Sequence, residues 1–549
     1  MNRKKIKIIL VSFFVAVFFT GFVFVTDKYF EISKNIELFS KVYKEVTFNY
    51  VEDIDPAQFM RAGINGMLGS LDPYTIFIDE NKKKDYDLLT TGKYGGIGVS
   101  IGVRGEKVTI INVFDGYSSQ RQGLRVGDVL IEVGGTKITP DNIDFISSLV
   151  KGEPGTTVNL KIQRNGDKDT LSFNLVREVV IVKSLLYADF YPKNSNNVYL
   201  KLSNFSRSAS DEIRRALKDL RKEKTIKSIV LDLRGNPGGL LDVAVNLCDD
   251  FLPKGNLIVT TLGREKTNEN KFYSLHKPLI ENAKIVVLIN GASASASEIV
   301  SGALQDHDQA VIVGTKSFGK GLVQTITPLN YNTSIKITTA KYFTPSGRSI
   351  QRIDYSKDNK VIAKSDSIVK TSFKTDNKRT VFSGGGINPD TTVKRKKLSE
   401  ITKALLAKGT FFTFADHYYY AHRKINFNKL NDHTLLNDFK KYLISNKFKY
   451  KSKSEKELNQ LIANLKNKTV YKNVIGKLHK IKNEMKELHK KAIDNNKKDI
   501  LDQLKSELAS RYKGANGRIE ELLKHDNQFQ FAVKLTNNKK LYRKLLQVK

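Results

Sequence analysis

The stretch from Lys284 to Asp306 constrains the fold of this chain more than any other. Ile285 to Ile289 form an unbroken apolar run, the pattern of a strand buried on both faces. The run stops at Asn290, a turn of small residues follows through Ser295, and a helical pattern begins near Ala296. Ser228 to Leu233 and Val311 to Val313 are further buried-strand patterns separated by helical segments, so residues from about 180 to 395 form an α/β domain.

The turn also has chemical potential. Small residues let another backbone approach closely, and a serine at a helix start sits beside unpaired N–H groups that can stabilise an oxyanion. The simpler reading is structural, because Ser295-x-x-Glu298 is a capping box. A serine nucleophile needs a base. Only His276 and His307 precede residue 400, neither in a triad-like motif, and no Gly-x-Ser-x-Gly elbow occurs at this turn. A lysine kept neutral by desolvation does the same work. Lys320, between Gly319 and Gly321, is the candidate, and Gln324 lies four residues on, on the same strand face.

Gly314-x-x-x-x-Gly319-Lys320 also approaches a phosphate-binding loop. That motif requires Ser or Thr next and opens a helix. Here Gly321 takes the magnesium-ligand position and a strand-like run follows, so a nucleotide site is excluded.

At the N-terminus, Arg3, Lys4, Lys5 and Lys7 precede an apolar run from Ile8 to Val25. Eighteen residues rise about 27 Å, enough for one membrane crossing, and the preceding charge keeps the N-terminus cytoplasmic. The expectation is a single-pass anchor over 1–28 with the bulk extracytoplasmic (periplasmic). A cleaved secretory signal is the alternative.

The chain has 549 residues and a net charge of +35. With 40% hydrophobic residues it is a folded, multi-domain protein, and its single Cys248 excludes an intramolecular disulfide. Beyond residue 400 lie 34 basic and 14 acidic residues, so more than half of the excess charge sits outside the α/β domain. This Lys-rich region is either a solvated helical surface or a site for anionic headgroups or an acidic partner. Nucleic acid is not expected. Within it, Tyr471, Val474, Leu478, Ile481, Met485, Leu488 and Ala492 follow a 3-4 spacing, a seam for an antiparallel helix pair or for a dimer. A homo-oligomer stays open. Residues 30 to 88 read as helical, and 92 to 178 as short strands divided by Gly-rich turns, a small β-rich domain.

Several motifs in order resemble those of the carboxy-terminal processing peptidases, also called tail-specific proteases. They are Gly66 to Thr75, Tyr94 to Ile101, Gly123 to Ile131, Leu231-Asp-Leu-Arg-Gly-Asn-Pro-Gly-Gly-Leu240, the serine and lysine stretches, Tyr342 to Arg348 and Gly386 to Asp390. The resemblance implies a crotonase-like ββα-repeat peptidase core with an inserted PDZ domain. Taken with the patterns at the two ends of the chain, which lie outside the resemblance, this divides the chain into an anchor (1–28), a helical lead-in (29–90), the PDZ domain (91–178), the serine peptidase core (179–398) and a Lys-rich helical extension (399–549).

The same resemblance implies a Ser-Lys dyad of Ser295 and Lys320, with Gln324 steadying the lysine. Backbone N–H groups of Ala296 and Gly238, or the neighbouring Gly239, would form the oxyanion hole. The Gly95-Gly96-Ile97-Gly98 loop would bind the substrate's C-terminal carboxylate. No metal or organic cofactor is implied, and the expected partners are proteins or peptides with free C-termini. The competing class is a PDZ scaffold that binds tails without cleaving them.

Overall fold

The computed structural model describes residues 28–80, 91–265, 267–355, 370–466 and 469–547. They fall into two units. The first holds the lead-in up to Asp79 together with Gln324–Thr338 and Tyr355, and the second holds the rest.

In the first unit a helix over 28–49 precedes the helix Pro56–Gly69. Asp55 starts the latter, its carboxylate accepting the N–H groups of Ala57 at 2.8 Å and Gln58 at 3.1 Å, with Pro56 in the first turn. Tyr43 and Phe59 stack at 5.7 Å and join the two helices. The strand Ile76–Ile78 then pairs antiparallel with Ser334 to Lys336.

The membrane anchor needs correction. Among the described residues no helix is long and apolar enough to cross a membrane. The helix over 28–49 carries Lys28, Glu31, Lys34, Glu37, Lys41, Lys44 and Glu45, charges that a hydrocarbon core does not accept. The apolar run from Ile8 to Val25 lies outside the described residues. The single-pass membrane assignment is therefore withdrawn.

The second unit begins with a β domain. Strands Val99–Arg104, Lys107–Val113, Val129–Val133, Thr157–Gln163 and Thr170–Val176 form one antiparallel sheet in that order. The helix Ile143–Val150 closes it over a core that includes Ile97, Ile110, Ile146, Leu160 and Leu175, all fully buried.

Next comes a six-stranded sheet. Leu185–Phe190 is antiparallel to Asn197–Leu202; Ser228–Asp232, Lys284–Ile289, Ala310–Gly314 and Thr391–Thr392 continue it in parallel. Helices Ala209–Glu223, Leu241–Asp249 and Ala296–Asp306 bury one face through Leu217, Leu247, Val300 and Leu304 against Leu200, Ile229, Val287 and Ile312. The opposite face is covered by elements from the far end of the chain. Leu523, Phe529, Ala532, Leu535 and Tyr542 lie on Tyr199, Val230, Val286, Leu288 and Val313. Burial on both faces is the reason these strands read as continuous apolar runs.

The remaining helices build a core of their own around Leu405, Phe411, Phe414, Phe439, Leu504 and Leu508. The helix Lys472–Lys490 follows Lys453–Leu465 and touches it. Its predicted seam stays largely on the surface: Tyr471, Val474, Ile481 and Leu488 are all exposed.

Candidate active site

The buried strand Lys284–Ile289 delivers the chain to Asn290, and the helix Ala296–Asp306 begins six residues later. Between them the turn is held by hydrogen bonds. Ser293 Oγ donates to Leu233 O at 2.8 Å, Ser297 Oγ donates to Asn236 O at 2.9 Å, and both serines are fully buried. Asn290 Oδ1 accepts from Gly235 and Ala292, each at 3.0 Å. Ser293 and Ser297 are thereby committed to structure, and Ser295 is the serine of the three that reaches the surface in part. It is the helix N-cap, with φ 55° and ψ −117°. This backbone conformation costs a non-glycine residue roughly 1–3 kcal/mol, which the surrounding bonds must offset.

The loop after strand Ser228–Asp232 faces this turn. Asn236 is its hub. Asn236 Nδ2 donates to Leu202 O at 3.1 Å, Oδ1 accepts the Gly238 N–H at 2.9 Å, and its carbonyl accepts the Ala294 N–H at 3.1 Å. A Cβ on Gly238 would stand 2.8 Å from Ser295 Cβ and 2.9 Å from Ala296 N, and its φ is +100°. Only glycine fits there. Of the expected oxyanion donors, the Ala296 N–H has no hydrogen-bond partner among the described residues, and neither has that of Gly239. The Gly238 N–H is engaged by Asn236.

Strand Ala310–Gly314 leads into the loop carrying Lys320, which is half-buried. Glu298, fully buried, organises both sides of the site. Its Oε2 accepts the N–H of Ser295 and of Lys320, each at 2.9 Å. Its Oε1 accepts from Gly319 N at 2.7 Å and Ser317 Oγ at 2.5 Å. Burial pushes the carboxyl up to about 7 although these four donors favour its charged form. Behind it, the hydroxyl of buried Tyr342 donates to Lys320 O at 2.5 Å and lies 3.2 Å from Ser295 O. Ser295, Ala296, Gly238 and Lys320 are thus gathered in the second unit by Glu298, Asn236 and Tyr342.

Gln324 lies in the first unit. Its Nε2 donates to Thr338 Oγ1 at 3.2 Å, and the Thr338 N–H donates to Thr75 Oγ1 at 3.2 Å. Asp72 fixes Thr75 by accepting from its N–H at 2.9 Å and its hydroxyl at 3.0 Å. In the β domain, Ile97 O accepts from Ser119 N at 3.2 Å and Gly98 O from Phe114 N at 2.8 Å, which anchors the Gly95–Gly98 loop. The N–H groups of Ile97 and Gly98 have no partner among the described residues.

Glu298, Asn236 and Tyr342 were not singled out as working residues in the sequence. Glu298 appears there as a helix cap only. Asn236 and Tyr342 do fall within motifs that carried the resemblance.

Residues 196–361 match peptidase family S41, residues 95–175 a PDZ domain, and residues 401–536 the C-terminal helical domain of a probable PDZ-protease. The chain is 38% identical over 328 residues to a carboxy-terminal-processing protease of Bartonella bacilliformis, covering 59% of this chain and 74% of that one. It is 30% identical over 324 residues to the carboxy-terminal processing protease CtpB of Bacillus subtilis, covering 59% and 67%. Among solved structures, the photosystem II D1 C-terminal processing protease aligns with a TM-score of 0.34 at 24% identity, over 64% of this chain and 85% of that one. On the sequence matches, this chain belongs to peptidase family S41, the family of the carboxy-terminal processing proteases.

Proposed function

We propose that this chain is a serine endopeptidase that trims or degrades proteins from their C-terminal region, with Ser295 as nucleophile and Lys320 as general base. The observation that carries this reading is the single Glu298 carboxylate bound to the N–H groups of both residues. In the proposed reaction neutral Lys320 takes the Ser295 proton while the serine oxygen attacks a peptide carbonyl. Lys320 then protonates the leaving amine, and water releases the acyl group. The Ala296 N–H and the Gly238–Gly239 segment receive the oxyanion. The Gly238 N–H itself contributes only once Asn236 releases it. Gln324 is assigned the orientation of the lysine amine.

The Gly95–Gly98 loop is proposed to hold the substrate's terminal carboxylate while the peptide adds as a strand beside Val99–Arg104. Incubating an unstructured protein with wild type and with Ser295→Ala, followed by mass spectrometry, tests the reading. A ladder of fragments near the C-terminus, absent with the variant, is expected. A ladder that persists with Ser295→Ala removes the serine mechanism, and binding without fragments from wild type leaves a tail-binding scaffold.

A further inference from the structure

The loop from Gly235 to Gly239 contains three glycines, all at positive φ, and has little stiffness of its own. Side chains hold it from two directions. On the side of the serine turn, Asn290 Oδ1 accepts the Gly235 N–H and Ser297 Oγ donates to the Asn236 carbonyl, while the Asn236 side chain bonds Leu202 O and the Gly238 N–H. Arg234, just before the loop, reaches toward the C-terminal helices. Its Nε and Nη2 donate to Asp232 at 2.8 and 2.6 Å. Its remaining branch, Nη1, lies 2.8 Å from Asp526 Oδ2 and donates to Gln528 Oε1 at 2.7 Å.

Asp232 sits two residues earlier, at the end of the strand Ser228–Asp232, and orients only one edge of the guanidinium. The direction of the other edge is set from nearly 300 residues away in the chain. Both distant acceptors are themselves fixed. Asp526 caps the helix Asn527–Asn537 by accepting from Gln528 N at 3.0 Å and Phe529 N at 3.1 Å. Gln528 donates to Val393 O at 2.6 Å, and Phe529 lies edge-on to Tyr199 at 5.1 Å. The cluster is mostly buried: side-chain exposure is 11% for Arg234 and 17% for Asp526. Burial disfavours its charges, but Asp232 and Asp526 together hold the Arg234 guanidinium firmly ionised.

We infer that Asp526 and Gln528 are positioning residues for the reaction at Ser295, acting through Arg234 on the glycine loop that faces the serine turn. The inference rests on the proposed reading of Ser295 as nucleophile. It gives the helical region, which matches the C-terminal helical domain of a probable PDZ-protease and not the S41 segment, an indirect part in activity.

The test uses full-length Asp526→Asn and Gln528→Ala. Asparagine caps a helix about as well as aspartate, so the first variant removes the charge and keeps the cap. Steady-state kinetics are measured on a peptide substrate, with sites counted by a covalent serine label so that loss of folded protein does not register. A kcat per labelled site lowered about tenfold with KM little changed is expected in both variants, a fraction of the loss caused by removing an oxyanion donor outright. Asp526→Glu, which keeps the charge, recovers part of it. Wild-type kcat per labelled site in both variants, or a change confined to KM, overturns the inference. If Asp526→Asn does not fold, Gln528→Ala alone decides. Cleavage by Ser295→Ala would instead remove the underlying assignment, whatever Asp526 does.

Discussion

The backbone N–H groups of Ser295 and Lys320 end on the same oxygen, Oε2 of Glu298, each at 2.9 Å. Two loops, one leading from strand Lys284–Ile289 into a helix and the other from strand Ala310–Gly314 into strand Leu322–Pro328, are therefore registered to one another by one buried atom. Such a tie sets the separation of the two backbones through their N–H groups alone.

Replacing Glu298 by Gln should disrupt this tie. An amide offers one acceptor oxygen where the carboxylate offers two, so its NH2 must face two of the four donors. A displacement of about 1 Å at the reacting groups can cost roughly a hundredfold in rate, and a fall of that order in kcat is expected for Glu298→Gln. Stability should also depend on pH. The folded carboxyl titrates at about 7 against 4.5 ordinarily. Between those values the unfolded chain releases a proton that the folded one keeps. Glu298 thus contributes stability below pH 4.5 that is lost as pH rises to about 7, by roughly 3 kcal/mol. Denaturant midpoints at pH 5 and pH 8 should differ less in Glu298→Gln than in wild type.

Lys320→Arg should leave the fold intact and abolish turnover. Guanidinium stays protonated and cannot accept the serine proton, so a loss of at least about 10³ in kcat is expected. Cleavage of a chromogenic peptide near wild-type rate would refute the lysine's role.

Gly238→Ala should inactivate the enzyme through geometry alone. Its Cβ would fall 2.7 Å from Ala294 O and 2.8 Å from Ser295 Cβ, at a φ of +100°. Either the loop withdraws or the serine turn shifts. A melting temperature lowered by several degrees, reflecting roughly 1–3 kcal/mol of strain, should accompany loss of labelling by a serine-reactive probe.

Capture of the substrate terminus at Ile97 and Gly98 can be checked with paired peptides. A substrate amidated at its C-terminus should show a higher KM than the free acid, because the N–H groups lose their anion. Equal KM values would assign the loop no part in tail recognition.

The strand, turn and helix around Ser295 were legible in the sequence because apolar run, small-residue turn and capping pattern are all local. The same holds for the glycine-flanked Lys320. The role of Glu298 was not, since three of its four donors lie 19 to 22 residues downstream and only tertiary folding brings them in. The region beyond residue 400 was legible only as helical and Lys-rich, and helical character does not say what a helix will cover. That Phe529 and Leu535 close the second face of the peptidase sheet became visible only in three dimensions. The 3-4 spacing near Leu478 shows the opposite lesson, for a regular apolar seam remains largely on the surface.

The covering of that second face has a consequence for how the protein is made. Strands Ser228–Asp232, Lys284–Ile289 and Ala310–Gly314 leave the ribosome more than 200 residues before the helix Asn527–Asn537 that shields them. Throughout that interval Val230, Val286 and Val311 have no cover, and contacts of such long sequence separation are slow to form. Arg234 likewise lacks Asp526 and Gln528 until then. A nascent chain therefore carries Ser295 and Lys320 long before the helix Asn527–Asn537 that closes the framework around them has emerged.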